Sequence, residues 1–194
     1  MAIGKLCKLR NLLLGRNSRN KIIKHVVGSN NSIDFGSDFE CGLFEINVYG
    51  SNNTIIIGNG CKFYRYNRLF VGGDNNSILI GNEVTFDQNV VIAVADGTNL
   101  SIGDDCMFAN GARIRTSDQH KIFSSAGLLL NSPADVNIGK HVWLGNNAII
   151  MKGVTIGDGC MVGMESMVTK SIDDNCLVVG TPAKVIQKEI RWER

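Results

Sequence analysis

The sequence predicts an all-β chain: a parallel β-helix wound from six-residue units, with one protruding loop and a short C-terminal helix. Three observations carry that expectation. An aliphatic residue returns at every sixth position from residue 138, as Ile138, Leu144, Ile150, Ile156, Val162 and Val168. Four places after each stands a small or β-branched residue: Val142, Ala148, Val154, Cys160, Ser166 and Ile172. Upstream, an apolar residue followed by glycine recurs at Phe35-Gly36, Ile57-Gly58, Ile80-Gly81 and Ile102-Gly103, at spacings of 22, 23 and 22 residues.

Neither a helix, with its period of 3.6, nor a lone strand, with its period of 2, produces a sixfold repeat. A strand ladder coiled into a triangular section does. Each hexad supplies one flat side and one corner, three hexads close a coil, and coils stack at a strand spacing of about 4.8 Å. The leading aliphatic residue then points inward onto its equivalents above and below. The residue four places on fills the crowded interior near the corner. Cys61, Cys106 and Cys160 fall at that inner position and are read as packing thiols. The longer upstream coils carry their extra residues in Gly28-Ser-Asn-Asn-Ser, Gly50-Ser-Asn-Asn-Thr and Gly73-Asp-Asn-Asn-Ser, whose asparagines are expected to stack into a hydrogen-bonded ladder. Glycine and asparagine suit such corners because they tolerate left-handed backbone.

Composition narrows the field. A chain of 194 residues is one domain or one short repeat array, and 44% apolar residues with only 2 prolines exclude a disordered or collagen-like chain. A net charge of +2 carries no signature of a nucleic-acid partner. None of the 6 cysteines forms a C-x-x-C pair, so neither a disulfide framework nor a metal site is indicated. Positive charge collects at the start, in Lys5, Lys8, Arg10, Arg16, Arg19, Lys21 and Lys24, among Ile3, Leu6 and Leu9. Residues 1–27 are therefore read as a basic arm, either a lead-in or oligomer contact, or a peripheral contact with an anionic glycan or membrane surface. The arm has no secretory signal pattern and no apolar run spans a bilayer, so a cytoplasmic location is expected. The β-helix is expected over 28–181, and a terminal helix over 182–194, opened by Pro182 after the Gly180-Thr181 turn.

One interval breaks the frame. Ile102, Phe108 and Ile114 fill a coil, the pattern reaches residue 120, and it resumes near Val136. Residues 120–135 therefore leave the helix as a loop, and a long loop in a tight repeat is a functional feature. His120 stands at its root. Of the two other histidines, His25 lies in the basic arm and His141 within a regular hexad.

The segments Arg115-Thr-Ser-Asp-Gln-His120, Ile138-Gly-Lys-His-Val-Trp-Leu-Gly145, Val168-Thr-Lys170 and Gly180-Thr-Pro-Ala-Lys184 complete the pattern. With them the chain resembles the hexapeptide-repeat O-acetyltransferases, in particular those acting on bacterial surface polysaccharides such as polysialic acid. The resemblance implies a left-handed parallel β-helix, a homotrimer, and acetyl-CoA as acyl donor in a groove between subunits, with no metal. It makes His120 the general base that deprotonates an acceptor hydroxyl, a task suited to an imidazole that is neutral near pH 7. It sets Trp143 at the thioester end, with the backbone N–H of Gly145 or Asn146 as the oxyanion donor. It sets Thr169 and Lys170 beside the adenylate, and Lys184 on the phosphates, with Lys188 either a further basic contact or a solvated residue. Met164 stands where the family usually carries a small residue, so it narrows the CoA groove or bends aside. Asp118 orients the imidazole, binds the acceptor, or is a solvated corner residue. Asp87 aligns loosely with an acceptor-binding asparagine.

The acceptor implied is a sugar hydroxyl, on an anionic polysaccharide or its precursor. An acetyltransferase for a small alcohol or amine, such as an antibiotic, is the alternative, although its loop is longer. A γ-class carbonic anhydrase needs three imidazoles around zinc, which these histidines do not offer. A purely structural β-helix would not need the loop, His120, Trp143 and the basic end together.

Overall fold

The structure, a computed structural model, describes residues 21–194. The part of the basic arm before residue 21, Cys7 included, lies outside the described residues. The chain winds through three parallel sheets in turn, one strand of each per coil. The first sheet holds seven strands: β1 (Lys21–Val27), β4 (Leu43–Tyr49), β7 (Asn67–Gly72), β10 (Val91–Ala95), β13 (Arg113–Arg115), β16 (Ile149–Ile150) and β19 (Met167–Val168). The second holds β2 (Ser32–Phe35), β5 (Thr54–Ile57), β8 (Ser77–Ile80), β11 (Asn99–Ile102), β14 (Val136–Ile138) and β17 (Thr155–Ile156). The third holds β3 (Glu40–Cys41), β6 (Lys62–Phe63), β9 (Thr85–Phe86), β12 (Met107–Phe108), β15 (Trp143–Leu144), β18 (Met161–Val162), β20 (Leu177–Gly180) and β21 (Ala183–Gln187). The three corners are numbered by the turn that follows each sheet.

The inward register is the one the hexads predict. Ile138, Leu144, Ile150, Ile156, Val162 and Val168 are all buried, as are Val142, Ala148, Val154, Cys160 and Ser166. In the longer coils the third sheet adds a stack of phenylalanines. Phe63 lies on Phe86 at 4.2 Å between ring centroids, and Phe86 on Phe108 at 4.7 Å. Cys61, Cys106 and Cys160 are fully buried, and each thiol donates to a backbone carbonyl of a neighbouring coil.

The asparagine ladder forms along the first corner, with an exposed rung from Asn30 Nδ2 to Asn52 Oδ1 and the longer run turned inside. Of each Asn-Asn pair the first takes a left-handed φ, as at Asn52 (59°) and Asn75 (60°), and the second turns inward. Asn53 N–H donates to Asn31 Oδ1 at 3.0 Å, and Asn76 N–H to Asn53 Oδ1 at 2.9 Å. The glycine that opens the turn is obligatory: at Gly50 (φ 138°) a Cβ would sit 2.0 Å from the Gly73 carbonyl oxygen.

Both ends depart from expectation. The helix starts earlier than residue 28, because β1 pairs in parallel with β4 along its whole length, Lys21 with Leu43 through Val27 with Tyr49. That stretch precedes Phe35-Gly36, the first apolar-glycine marker, which is why the repeat does not reveal it. At the other end the terminal helix is absent. After a cis Thr181–Pro182 peptide, Ala183–Gln187 folds back as β21, antiparallel to β20. The reversal pairs a sheet edge that would otherwise present open N–H and C=O groups, a stronger demand than the helix propensity of so short a segment. The last residues then strap the second corner. Trp192 stacks on His141 at 3.9 Å, and Arg194 Nε reaches Asp105 Oδ1 at 2.7 Å. Among the described residues no helix is long and apolar enough to cross a membrane.

Candidate active site

The chain leaves the first sheet at Arg115 and rejoins the second at Val136, and the exit is held from beneath. Thr116 is buried and its hydroxyl accepts from Thr98 Oγ1 at 2.5 Å. The Ser117 hydroxyl donates to the Asp96 carboxylate of the coil below and accepts from the Gln119 N–H at 2.9 Å. Gln119 then turns at φ 62°, and His120 emerges exposed, its imidazole making no hydrogen bond among the described residues. The loop beyond is a small hairpin with an antiparallel Phe123–Leu129 bridge.

Asn131, at the returning limb, ties the root together. Its amide donates to the His120 carbonyl oxygen at 2.7 Å and to Asp118 Oδ2 at 2.8 Å, while its Oδ1 accepts from the Ile122 N–H at 2.7 Å. Lys152, from the coil above, donates to Asp118 Oδ2 at 2.5 Å and to the Asn131 carbonyl oxygen at 2.8 Å. The hydrogen bond from Lys152, and then that from Asn131, hold the Asp118 carboxyl below the usual carboxylate range. Asp118 thus braces the loop backbone, and its hydrogen bonds go to Asn131 and Lys152 rather than to the imidazole. Sequence reasoning missed Lys152 and Asn131. Lys152 lies 34 residues from Asp118, and only the path of the loop makes them neighbours.

The thioester-end candidates lie elsewhere, Trp143 on the third sheet and Gly145, Asn146 and Met164 at the third corner. Trp143 stands outward on β15 with its ring 5.9 Å from Trp192, and its indole N–H is buried without a hydrogen-bond partner. A buried donor left unpaired is unfavourable by about 1–3 kcal/mol, so this one is set for an acceptor. Of the two oxyanion-donor candidates, Gly145 is removed: its N–H already donates to the Val162 carbonyl at 2.8 Å. Gly145 serves close packing instead, since a Cβ there would lie 2.7 Å from the Met164 backbone nitrogen. The Asn146 N–H makes no hydrogen bond among the described residues and remains the available donor. Met164 bends outward, 65% exposed, one coil above Asn146. Asp87 lies at the same corner two coils lower, its N–H bonded to the Phe108 carbonyl.

The other predicted contacts are spread apart. Thr169 and Lys170 are exposed where the chain leaves β19 at the first corner, the edge that also carries His120. Lys184 is exposed on β21 opposite Val179, and Lys188 is exposed beyond it. One chain therefore does not bring His120 to Trp143: His120 stands at the first corner and Trp143 on the third sheet. His141 has a structural part, with Nδ1 2.6 Å from Asp105 Oδ2 beneath the Trp192 ring. Burial alone would raise the Asp105 pKa, but hydrogen bonds from His141 and Arg194 bring it below the ordinary value. The described cysteines are poor nucleophiles: burial pushes the Cys106 thiol up to about 12 and Cys41 to about 11. Among the described residues no cluster of His, Cys, Asp and Glu is arranged to hold a metal.

Comparison with known proteins agrees with this architecture. The family described as Bacterial transferase hexapeptide (six repeats) matches residues 135–170. Over 146 residues the chain is 35% identical to the polysialic acid O-acetyltransferase of Neisseria meningitidis, spanning 65% of this chain and 68% of that protein. It superposes on the crystal structure of the polySia specific acetyltransferase NeuO with a TM-score of 0.67 at 28% identity, over 91% of this chain and 90% of the other. On the polysialic acid O-acetyltransferase OatWY the TM-score is 0.65 at 32% identity, over 89% and 91%. The fold is a left-handed β-helix of hexapeptide repeats, and the chain belongs to the hexapeptide-repeat family of O-acetyltransferases.

Proposed function

We propose that the protein transfers an acetyl group from acetyl-CoA to a sugar hydroxyl of a bacterial surface polysaccharide or its precursor, with His120 as general base. The observation that carries this reading is the division of the site. A partnerless imidazole stands at the first corner, while a buried, unpaired indole N–H on the third sheet and the open Asn146 N–H at the third corner stand apart from it. Such halves become one site when the first corner of one copy faces the third corner of the next, as in a closed homotrimer. Each trimer then carries three sites, all between subunits.

In that site the imidazole takes the proton of the acceptor hydroxyl as its oxygen attacks the thioester carbonyl. The Asn146 N–H donates to the oxyanion that forms, and the Trp143 N–H supplies a donor beside the thioester. Collapse expels the CoA thiolate, which takes the proton back from the imidazolium, and an O-acetyl ester is left. No acyl-enzyme is required. Thr169, Lys170, Lys184 and Lys188 supply the polar and cationic contacts for the nucleotide end of CoA. The reaction belongs to the cytoplasm, with the basic arm as a contact to an anionic glycan or membrane surface.

The test is to incubate the protein with acetyl-CoA and a panel of acidic and neutral bacterial polysaccharides, following thiol release and product mass. Acetylated glycan is the expected product. Turnover confined to small alcohols such as chloramphenicol would contradict the reading.

A further inference from the structure

Residues 190–194 play no part in that mechanism, yet hydrogen bonds tie them to the coils at both ends. Ile190 N–H donates to the Asn175 carbonyl oxygen at 3.0 Å. The chain then runs along the second corner, over the residues that take its left-handed position: Asn175 (φ 54°), His141 (53°), Asp105 (57°) and Glu83 (56°). Arg191 and Glu193 are exposed and pair with each other at 2.6 Å, while Trp192 between them is buried. Arg194 closes the strap. Its Nε donates to Asp105 Oδ1, its Nη1 to Thr85 Oγ1 at 3.1 Å, and its Nη2 to the Glu83 and Cys106 carbonyl oxygens at 3.0 Å each. In a triangular coil the second corner lies opposite the first sheet, so the strap stays on the outside of a trimer in which first and third corners meet.

Trp192 is fixed three times over by one residue. Its ring stacks on His141 at 3.9 Å and 7°, its Nε1–H donates to the His141 carbonyl oxygen at 3.0 Å, and its carbonyl oxygen lies 3.1 Å from His141 Nε2. His141 is held in turn by Asp105 Oδ2, and Asp105 gives its other oxygen to Arg194. A run of contacts thus leads from Arg194 through Asp105 and His141 to Trp192, which meets the Trp143 ring at 5.9 Å, tilted by 49°. Trp143 has no such anchor of its own. The ladder sets its backbone between Met107 and Met161 in register, half-buried thioether chains that conform to a ring rather than fix it. Its N–H is without a partner, and among the described residues Trp192 is the one aromatic ring against it.

We propose that Trp192 is a positioning residue for the thioester end of the site: the strap, pinned through His141 and Arg194, fixes the plane of the Trp143 indole and so aims its N–H. Two aromatic rings in tilted contact hold each other's planes. A ring free to tilt carries its N–H through an arc, and a hydrogen bond weakens steeply away from linear geometry. Aim therefore matters more than mere presence of the donor. The proposal rests on the role given to Trp143 above, and adds what holds that side chain in place.

The test uses the whole protein, whose 2 tryptophans are these two. In Trp192→Ala and Trp192→Phe all indole emission comes from Trp143. That emission should lie further to the red, and acrylamide should quench it more strongly, in Trp192→Ala than in Trp192→Phe, which keeps a ring against Trp143. With a polysaccharide acetylated in the panel as acceptor, Trp192→Ala should lower kcat by up to about tenfold, the most expected from losing the Trp143 N–H, with KM for acetyl-CoA unchanged. Trp192→Phe should restore part of the loss. In a Trp143→Phe background, which has no N–H to aim, Trp192→Ala should have no further effect. Arg194→Gln loosens the strap without touching either ring; it should move kcat the same way by less, and it serves if Trp192→Ala does not fold. An equal loss in both backgrounds would overturn the proposal, since the strap would then only hold the coil together. So would identical emission and quenching in the two Trp192 variants. Normal turnover in Trp143→Phe, with the difference in emission intact, would instead leave the strap holding the ring and remove the thioester role of Trp143. If no polysaccharide is acetylated, the emission comparison still decides what holds the ring, and the proposed function alone falls.

Discussion

The two long edges of the first sheet are ordered in opposite ways. At the first corner the backbone leaves the repeat, and a polar brace of Asp118, Asn131 and Lys152 fixes the root of a loop whose histidine is free. At the third corner the repeat is unbroken: Gly145 packs against the next coil with no room for a Cβ, and on the sheet that leads into it an indole N–H is buried without an acceptor. One side offers an unpaired proton acceptor on a braced loop; the other offers backbone and indole donors on an unbroken coil. Base catalysis needs the first and oxyanion stabilisation the second, and neither edge is a site by itself.

Each half can be broken separately, and the effects should fall in a definite order. Removing the base should have the largest effect: His120→Ala should lower acetyl transfer by roughly 10²–10⁴-fold, with unchanged acetyl-CoA affinity and oligomeric state. Near-normal turnover would remove His120 from the mechanism. Loosening the brace should come next. Lys152→Met should lower kcat by roughly 10- to 100-fold through misplacement of the imidazole, with KM for acetyl-CoA unchanged, and Lys152→Arg should restore part of it. Because the Asp118 pKa is depressed in the fold, its share of the brace is complete above the ordinary carboxylate range and is lost as pH falls through its lowered pKa. Amide exchange in residues 120–131, corrected for intrinsic rate, should therefore be flat from pH 5 to 8 in the wild type and faster in Lys152→Met. The smallest effect belongs to the rigid edge. Trp143→Phe keeps the ring and deletes only the N–H, so kcat should fall by about tenfold or less, with little change in stability. A loss as large as that of His120→Ala would mean the ring itself, through its packing on Trp192, holds the corner together.

Much of this architecture is legible in the sequence because the repeat is a packing rule. A period of six fixes which side chains point inward, and the buried column from Ile138 to Val168 follows directly. The loop is legible as the place where the rule stops, and His120 with it. What is not legible depends on contacts between coils. Ala183-Lys-Val-Ile-Gln187 reads equally as helix or strand until the open edge of β20 decides it. Gly145 and Asn146 are equivalent as oxyanion donors until the ladder takes the N–H of one of them. Arg68 and Arg113 are 45 residues apart and become neighbours only through coils of 23 and 22 residues. Coils of unequal length hide such columns from any fixed period.

The central claim, that each site is shared between copies, is tested most directly by complementation. His120→Ala and Trp143→Ala chains carrying different tags are co-expressed, and oligomers bearing both tags are isolated. In a cyclic trimer with head-to-tail contacts, any mixed composition joins one intact His120 to one intact Trp143 across a single interface. The mixed trimers should therefore regain roughly one third of wild-type acetyl transfer, while His120→Ala alone stays nearly inactive and Trp143→Ala alone stays at about a tenth or below. Mixed oligomers as inactive as their parents would contradict the account and place both residues in a site within one chain.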